Sequence, residues 1–317
     1  MRAIVMEAYG GSDRLQLRQM SDPRPGAGEV LIRVRAAAVN PVDWKIRQGH
    51  LRLILRLQFP YIPGGDMAGE VVAAGAGVTG WQAGDPVVGF ADLRRGGAYA
   101  ELAVLRQGRF ARKTPKLSYA EAATLPIAAC TALQALRDLG HLSAGGQALI
   151  LGGAGGVGHF GVQIAKAMGA TVTATCGPAN LAFVRGLGAD RVVDYHQEDV
   201  TAGDRRYDVI LDAVAKGSFR RCRHLLAPGG TYVTTLPAPD VFVWDAVERL
   251  LGILRTARRA RAIMVRPTQA DLAFLGQLAE EGKLKPLVSR VYPLAEAALA
   301  QEASQAGHTQ GKIVIAP

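Results

Sequence analysis

The stretch Ala148-Leu-Ile-Leu-Gly-Gly-Ala-Gly-Gly-Val-Gly158, continued by His159-Phe-Gly-Val-Gln-Ile-Ala-Lys-Ala-Met-Gly169, narrows the possible folds more than any other part of the chain. A short apolar run suits a buried strand, the glycines suit a tight turn, and the apolar spacing after Gly158 suits a helix. Gly153, Gly155 and Gly158 satisfy G-x-G-x-x-G in the strand–turn–helix context that this motif requires. The first glycine permits the turn, the second lets backbone approach a pyrophosphate, and the third lets the helix pack closely on the strand. Gly153, Ala154, Gly155, Gly156, Val157 and Gly158 are therefore candidate cofactor-binding residues, with the helix N-terminus facing the phosphates. The competing reading is a structural turn that binds nothing.

The rhythm around this loop changes twice. Apolar segments at 148–151, 171–175, 191–193, 209–212 and 231–235 alternate with helical stretches near 158–168, 179–187 and 217–226. That alternation predicts βαβ units and a parallel sheet. Earlier, short segments at 2–7, 29–39, 66–74, 86–90 and 98–104 are separated by breaks rich in Gly, Pro and Asp, which predicts a β-rich domain like a small, partly open barrel. Ser118 is a candidate N-cap, with Glu121 three residues on. From about residue 265 a helix (268–281), a strand (288–292), a helix (294–306) and a final strand (312–315) follow. Ile313-Val-Ile315 needs a sheet to bury it, so the last strand is expected to return to the first domain.

At 317 residues two domains are expected. No run of about eighteen uncharged apolar residues occurs, so no membrane span is expected. The apolar part of Met1-Arg-Ala-Ile-Val-Met-Glu7 is too short for a secretory signal. Cys130, Cys176 and Cys222 are far apart, which speaks against a disulfide framework and suggests a cytoplasmic protein. Cys130 and Cys176 read as buried small hydrophobes. The net charge of +10 raises a nucleic-acid hypothesis, but only Arg255–Arg261 is densely basic and it lacks an aromatic stacking platform. That run reads as a solvated helix face, and no nucleic-acid partner is expected. The amphipathic run 241–261 reads as a lid, a subunit interface or a membrane-surface helix, in that order.

Further signatures lie outside the loop: Ala38-Val-Asn-Pro-Val-Asp-Trp-Lys45, Pro63-Gly-Gly-Asp-Met-Ala-Gly-Glu-Val71, Gly84-Asp-Pro-Val-Val-Gly89, Gly97-Ala-Tyr-Ala-Glu101, Thr131-Ala-Leu133 and Gly311-Lys-Ile-Val314. Together and in this order they resemble the medium-chain dehydrogenase/reductase superfamily, in its zinc-independent quinone oxidoreductase (zeta-crystallin-like) branch. The resemblance implies an α/β fold: a Rossmann doubly wound parallel sheet domain over 123–263, and a β-rich GroES-like partly open barrel domain over 1–122 and 264–317. It also implies a homodimer.

Zinc-dependent members of the superfamily place a cysteine ligand at Asn40, a His-Glu pair at Gly65-Asp66 and a third ligand near Ile127. The residue types here cannot rebuild that site, so no metal is expected. The strand end Thr173-Ala-Thr-Cys-Gly-Pro-Ala-Asn180 lacks the acid that would receive the ribose hydroxyls of NAD, which favours NADP(H). Thr175 and Asn180 are candidate cofactor contacts. The resemblance adds Thr131 near the nicotinamide and Tyr195 against the 2′-phosphate, with Arg185 as a second contact or a solvated charge. Thr131 also reads as a packed or capping residue.

Asn40, Lys45 and Asp43 are the candidate catalytic residues. By resemblance Asn40 lies close to the reactive ring; the alternative is that it satisfies backbone groups before Pro41. Lys45 stands where relatives carry a tyrosine or a relay histidine. It either donates to the substrate oxygen, holds the ribose, or snorkels along an apolar wall. Asp43 orients Lys45 or caps a turn.

Without a Lewis acid, hydride delivery to a conjugated acceptor is less demanding than delivery to an isolated carbonyl, because charge spreads onto a conjugated oxygen. The expected activity is reduction of quinones or α,β-unsaturated carbonyls. The alternatives are a metal-free alcohol or aldehyde oxidoreductase, and a weakly catalytic NADPH-binding regulatory or nucleic-acid-binding protein. The substrate pocket is expected to be bounded by 49–57, 241–247 and 262–265.

Overall fold

The fold is a computed structural model that describes residues 1–214, 217–236, 241, 244, 258–307 and 309–317. Two compact units result: Met1–Ile127 with Pro267–Glu281 and Pro286–Pro317, and Ala128–Arg266 with Gly282–Lys285. The first break falls after Ile127 and not after residue 122. Residues 119–139 form a near-continuous helical stretch with two π-helical segments, Leu125–Ala129 and Ala135–Leu139, so no loop lies at the expected position. Gly282–Lys285 belong with the second unit, where Lys285 N–H donates to Gln163 Oε1 at 2.8 Å.

In the first unit β1 (Arg2–Val5) and β2 (Gln16–Gln19) pair antiparallel, followed by β3 (Glu29–Val39), α1 (Pro41–Arg47), β4 (Asp66–Ala74), β5 (Pro86–Phe90), β6 (Leu102–Arg106), β7 (Phe110–Arg112) and α2 (Tyr119–Ala123). Ser118 caps α2 with reciprocal bonds to Glu121. β6 begins later than the expected residue 98, because the amides of Ala98 and Tyr99 donate instead to Gly64 O and Pro63 O.

The second unit holds α3 (Cys130–Gln134), β8 (Gln147–Leu151), α4 (Gly158–Ala167), β9 (Thr171–Cys176), α5 (Leu181–Gly186), β10 (Arg191–Asp194), β11 (Tyr207–Asp212), α6 (Phe219–Cys222), β12 (Leu226–Thr234) and β13 (Arg259–Ala262). The chain then returns to the first unit as α7 (Gln269–Glu280), β14 (Val288–Pro293), α8 (Ala297–Ala306) and β15 (Lys312–Ala316).

β3 is the hub of the first sheet, whose order is β14-β15-β3-β4-β5-β7 with β6 also on β3. Its first half pairs with β6 and its last residues with β15, where Ile313 opposes Val39. The final strand therefore does return to the first unit. Ile4, Val30, Ile32, Met67, Tyr99, Phe110 and Ile315 build the core there.

The second sheet is parallel throughout, in the order β10-β9-β8-β11-β12-β13. This is the Rossmann order, and it reverses between β8 and β11, where such sheets bind ligands beyond the strand ends. The fold is thus α/β with a doubly wound parallel sheet and a separate β-rich unit. The basic run requires a correction. Arg259–Ala262 form strand β13 with Ala260 fully buried, not a helix face. Their arginine–alanine alternation has the period of a strand. Residues 255–257 and most of 241–261, Phe242 included, lie outside the described residues.

Candidate active site

β3 stops where Asn40 leaves the sheet and starts α1. Asn40 is the N-cap, with extended backbone (φ −125°, ψ 151°), and Pro41 takes the first helical position, where its fixed φ and missing N–H cost nothing. Asp43 reaches back: its Oδ2 accepts the Asn40 amide N–H at 2.8 Å and the Tyr99 hydroxyl at 2.9 Å. These are its contacts, and Lys45 is not among them. Burial pushes the Asp43 carboxyl up from 3.8 to about 6, against the opposing pull of those bonds and of Lys312.

The Asn40 side chain spans two charges. Nδ2 donates to Asp66 Oδ2 at 2.9 Å, and Oδ1 accepts from the Lys312 ammonium, which also donates to Val39 O at 2.8 Å. The Ile127 N–H is shared between both Asp66 oxygens, at 3.1 and 3.2 Å. Asn40, Asp66 and Lys312 are all buried. Burial pushes Asp66 up and Lys312 down, toward neutrality, while their mutual attraction works the other way. Lys45 is half-buried, which lowers its pKa, and its Nζ lies 5.4 Å from the centre of the Trp44 ring.

Of the segments expected to bound a substrate pocket, Leu51, Leu55 and Leu57 pack against the core, while Leu53 and Ile54 are exposed. Met264 is exposed, and Trp244 packs edge-on against Phe219 under Arg223.

In the second unit the glycine loop follows β8, the strand at which the order reverses. Thr175 holds it: Gly152 N–H donates to Thr175 Oγ1 at 3.1 Å and Gly153 N–H to Thr175 O at 2.7 Å. A side chain at Gly158 would bring Cβ within 2.0 Å of Gly152 O, so only glycine fits. At Gly155 the nearest atom to such a Cβ is Gly152 O at 3.4 Å, which leaves that face of the loop open. Among the described residues no side chain caps α4 at Val157; the His159 and Gly161 amides donate to Gly155 O and Val157 O, which leaves the other first-turn amides for an anion. Ala154 and Gly156 complete the loop. These features fit a dinucleotide pyrophosphate.

Cys176 and Gly177 follow Thr175, and the Tyr195 hydroxyl stands 3.1 Å from where a Gly177 Cβ would lie. Tyr195 is half-exposed, and Asn180 closes the adjoining turn by donating its N–H to Gly177 O. Arg185 acts on Cys176, lowering its pKa against the larger upward effect of burial. Thr131 is buried in α3. Asp212 ends β11 and receives Tyr232 OH, Gly217 N–H and Val214 N–H, ordering the next loop.

The three positions that hold zinc ligands in zinc-dependent members do not suit that ion. Asn40 offers an amide whose oxygen is held by Lys312 and one of whose N–H groups is held by Asp66, Gly65 has no side chain, and Ile127 brings an alkyl group. The Lys312 ammonium would also repel a cation. Among the described residues no group of three or more His, Cys, Asp or Glu is arranged for a metal.

Comparison with known proteins agrees with the fold. Residues 26–132 match the alcohol dehydrogenase GroES-like domain, and residues 187–315 match the zinc-binding dehydrogenase family. A chloroplastic quinone-oxidoreductase homolog of Spinacia oleracea is 36% identical over 327 residues, 100% of this chain and 98% of that protein. The chain belongs to the medium-chain dehydrogenase/reductase family.

A second family member, a chloroplastic NADPH-dependent alkenal/one oxidoreductase of Arabidopsis thaliana, is 33% identical over 100% of this chain and 80% of its own length. The solved quinone oxidoreductase of Coxiella burnetii superposes with a TM-score of 0.90 at 34% identity, over 100% of this chain and 99% of that one. The expected cytoplasmic location is overturned, since relatives carry chloroplastic or mitochondrial names. Thiol spacing and a short N-terminal pattern carry no compartment address. No helix among the described residues is long and apolar enough to cross a membrane.

Asp66, Tyr99 and Lys312 were not recognised from sequence as site residues. Each nevertheless lies in a signature segment, 63–71, 97–101 or 311–314, and Lys312 precedes an Ile-Val-Ile run that is buried throughout.

Proposed function

We propose that this oxidoreductase is a metal-free, NADPH-dependent reductase of quinones and α,β-unsaturated carbonyls such as 2-alkenals and enones. The observation that carries the reading is the Asn40–Asp66–Lys312 network, an amide that bridges a buried carboxylate and an ammonium, with Asn40 at a position that the resemblance gives to a zinc ligand in zinc-dependent members. When bound, the reduced dinucleotide supplies a hydride. Gly153–Gly158 and the start of α4 hold its pyrophosphate. Tyr195, Arg185 and the carboxylate-free end of β9 favour a 2′-phosphate. The Asn40 amide would offer its remaining N–H to the conjugated oxygen, whose developing charge a neutral donor can stabilise. A proton then completes the product, from solvent or from half-buried Lys45.

A panel assay tests this reading. With NADPH, turnover is expected for benzoquinone-type acceptors and 2-alkenals and not for saturated aldehydes. A chelator is expected to change none of the rates. Equal turnover of saturated aldehydes would replace the reading with an alcohol or aldehyde oxidoreductase. We also propose a homodimer, for which light scattering on the eluting protein would give twice the chain mass.

A further inference from the structure

The two ends of an asparagine amide do opposite things, and their assignment rests on the neighbours. At Asn40 those neighbours leave one solution. Lys312 Nζ carries only donors and must face Oδ1, while the Asp66 carboxylate accepts and draws Nδ2 to 2.9 Å. Both charges are anchored independently of Asn40, Lys312 by Val39 O at 2.8 Å and Asp66 by the Ile127 N–H. Exposures of 2%, 0% and 4% for Asn40, Asp66 and Lys312 place all three out of bulk solvent. The second Nδ2 hydrogen has only a 3.5 Å approach to Ala38 O, at the outer limit of a hydrogen bond. Asp66 and Lys312 meet through the amide and act on each other through space, and buried charges are a poor source of stability, since apolar residues of similar volume usually do as well. Holding the amide is what the pair adds.

We infer that Lys312 is a positioning residue: its ammonium, paired with Asp66 across the Asn40 amide, locks that amide so that its lightly held N–H serves the oxygen of the conjugated acceptor. The catalytic half of this inference rests on the proposed function; the orientation of the amide does not.

Two pairs of variants test it on the full-length protein. Lys312→Met alone strands a buried carboxylate, so it is combined with Asp66→Asn. The double variant is expected to fold and to bind NADPH with unchanged affinity, but to lose kcat on the order of 10–100-fold with little change in the acceptor KM. A kcat within twofold of the parent in that folded, NADPH-binding protein would leave Lys312 a packing residue and overturn the inference.

The second pair keeps Lys312. Asn40→Asp sets two carboxylates face to face and is expected to lower the melting temperature. Asn40→Asp with Asp66→Asn exchanges the two groups and is expected to recover most of that loss, while kcat stays low because the side chain at position 40 no longer carries an N–H. If the exchange recovers nothing, the assigned orientation is wrong. If the parent protein turns over no conjugated acceptor, the proposed function and the catalytic half of this inference fail together, and the melting comparison still judges the orientation.

Discussion

Asp43 is held through one oxygen only. Its Oδ2 receives two donors, whereas Oδ1 is buried without a hydrogen-bond partner among the described residues. Burial dominates, and the folded carboxyl titrates at about 6, above its unfolded 3.8. Between those values the folded state binds more protons than the unfolded one, so this group's contribution to stability falls as pH rises from about 4 to about 6. A shift of roughly two units corresponds to at most about 3 kcal/mol. Asp43→Asn is expected to flatten the melting-temperature profile across that window. A profile parallel to the parent's would show that Asp43 does not titrate there. At the other end of the chemistry, Tyr195→Phe removes a hydroxyl whose hydrogen bond to a charged 2′-phosphate is worth about 1.5 kcal/mol. It is expected to weaken NADPH several-fold and leave NADH unchanged, as read from cofactor fluorescence titrations.

At the scale of elements, two glycines of one loop separate folding from binding. Gly158→Ala drives a methyl into Gly152 O, so both the melting temperature and NADPH affinity are expected to fall. Gly155→Ala meets no protein atom closer than 3.4 Å, so the fold is expected to hold while NADPH affinity drops by about tenfold or more. Equal affinity in the Gly155 variant would mean that the pyrophosphate does not approach there. This loop was legible in sequence because its information is local: glycine spacing, an apolar strand before it and helical periodicity after it. The Asn40–Lys312 contact joins residues 272 positions apart, and no local pattern announces such a pairing. β13 was misread for a related reason, as a four-residue strand offers too few repeats to separate a period of two from 3.6. The break between units falls later than the sequence suggests, because a π-helical segment has no signature in hydrophobic spacing.

At the scale of the whole molecule, ligand linkage gives a direct measurement. Saturating NADPH at about a hundred times its Kd stabilises the folded form by roughly 2.7 kcal/mol, so the melting temperature is expected to rise by a few degrees, with NADH giving less at equal concentration. No shift with either dinucleotide would remove the cofactor assignment. Ending the chain before Lys312 deletes β15 from between β14 and β3 and leaves Asp66 without its counter-ion, so the shortened protein is expected to be recovered insoluble. The same strand order bears on synthesis. β3 emerges early from the ribosome, whereas the strand that covers its far end is translated after the entire second unit. The nascent chain must carry an open sheet edge throughout that interval, when unpaired edges recruit other chains. A holding chaperone would act on this half of the protein, while the parallel sheet, whose described strands all lie within one continuous stretch, can close without waiting for the terminus.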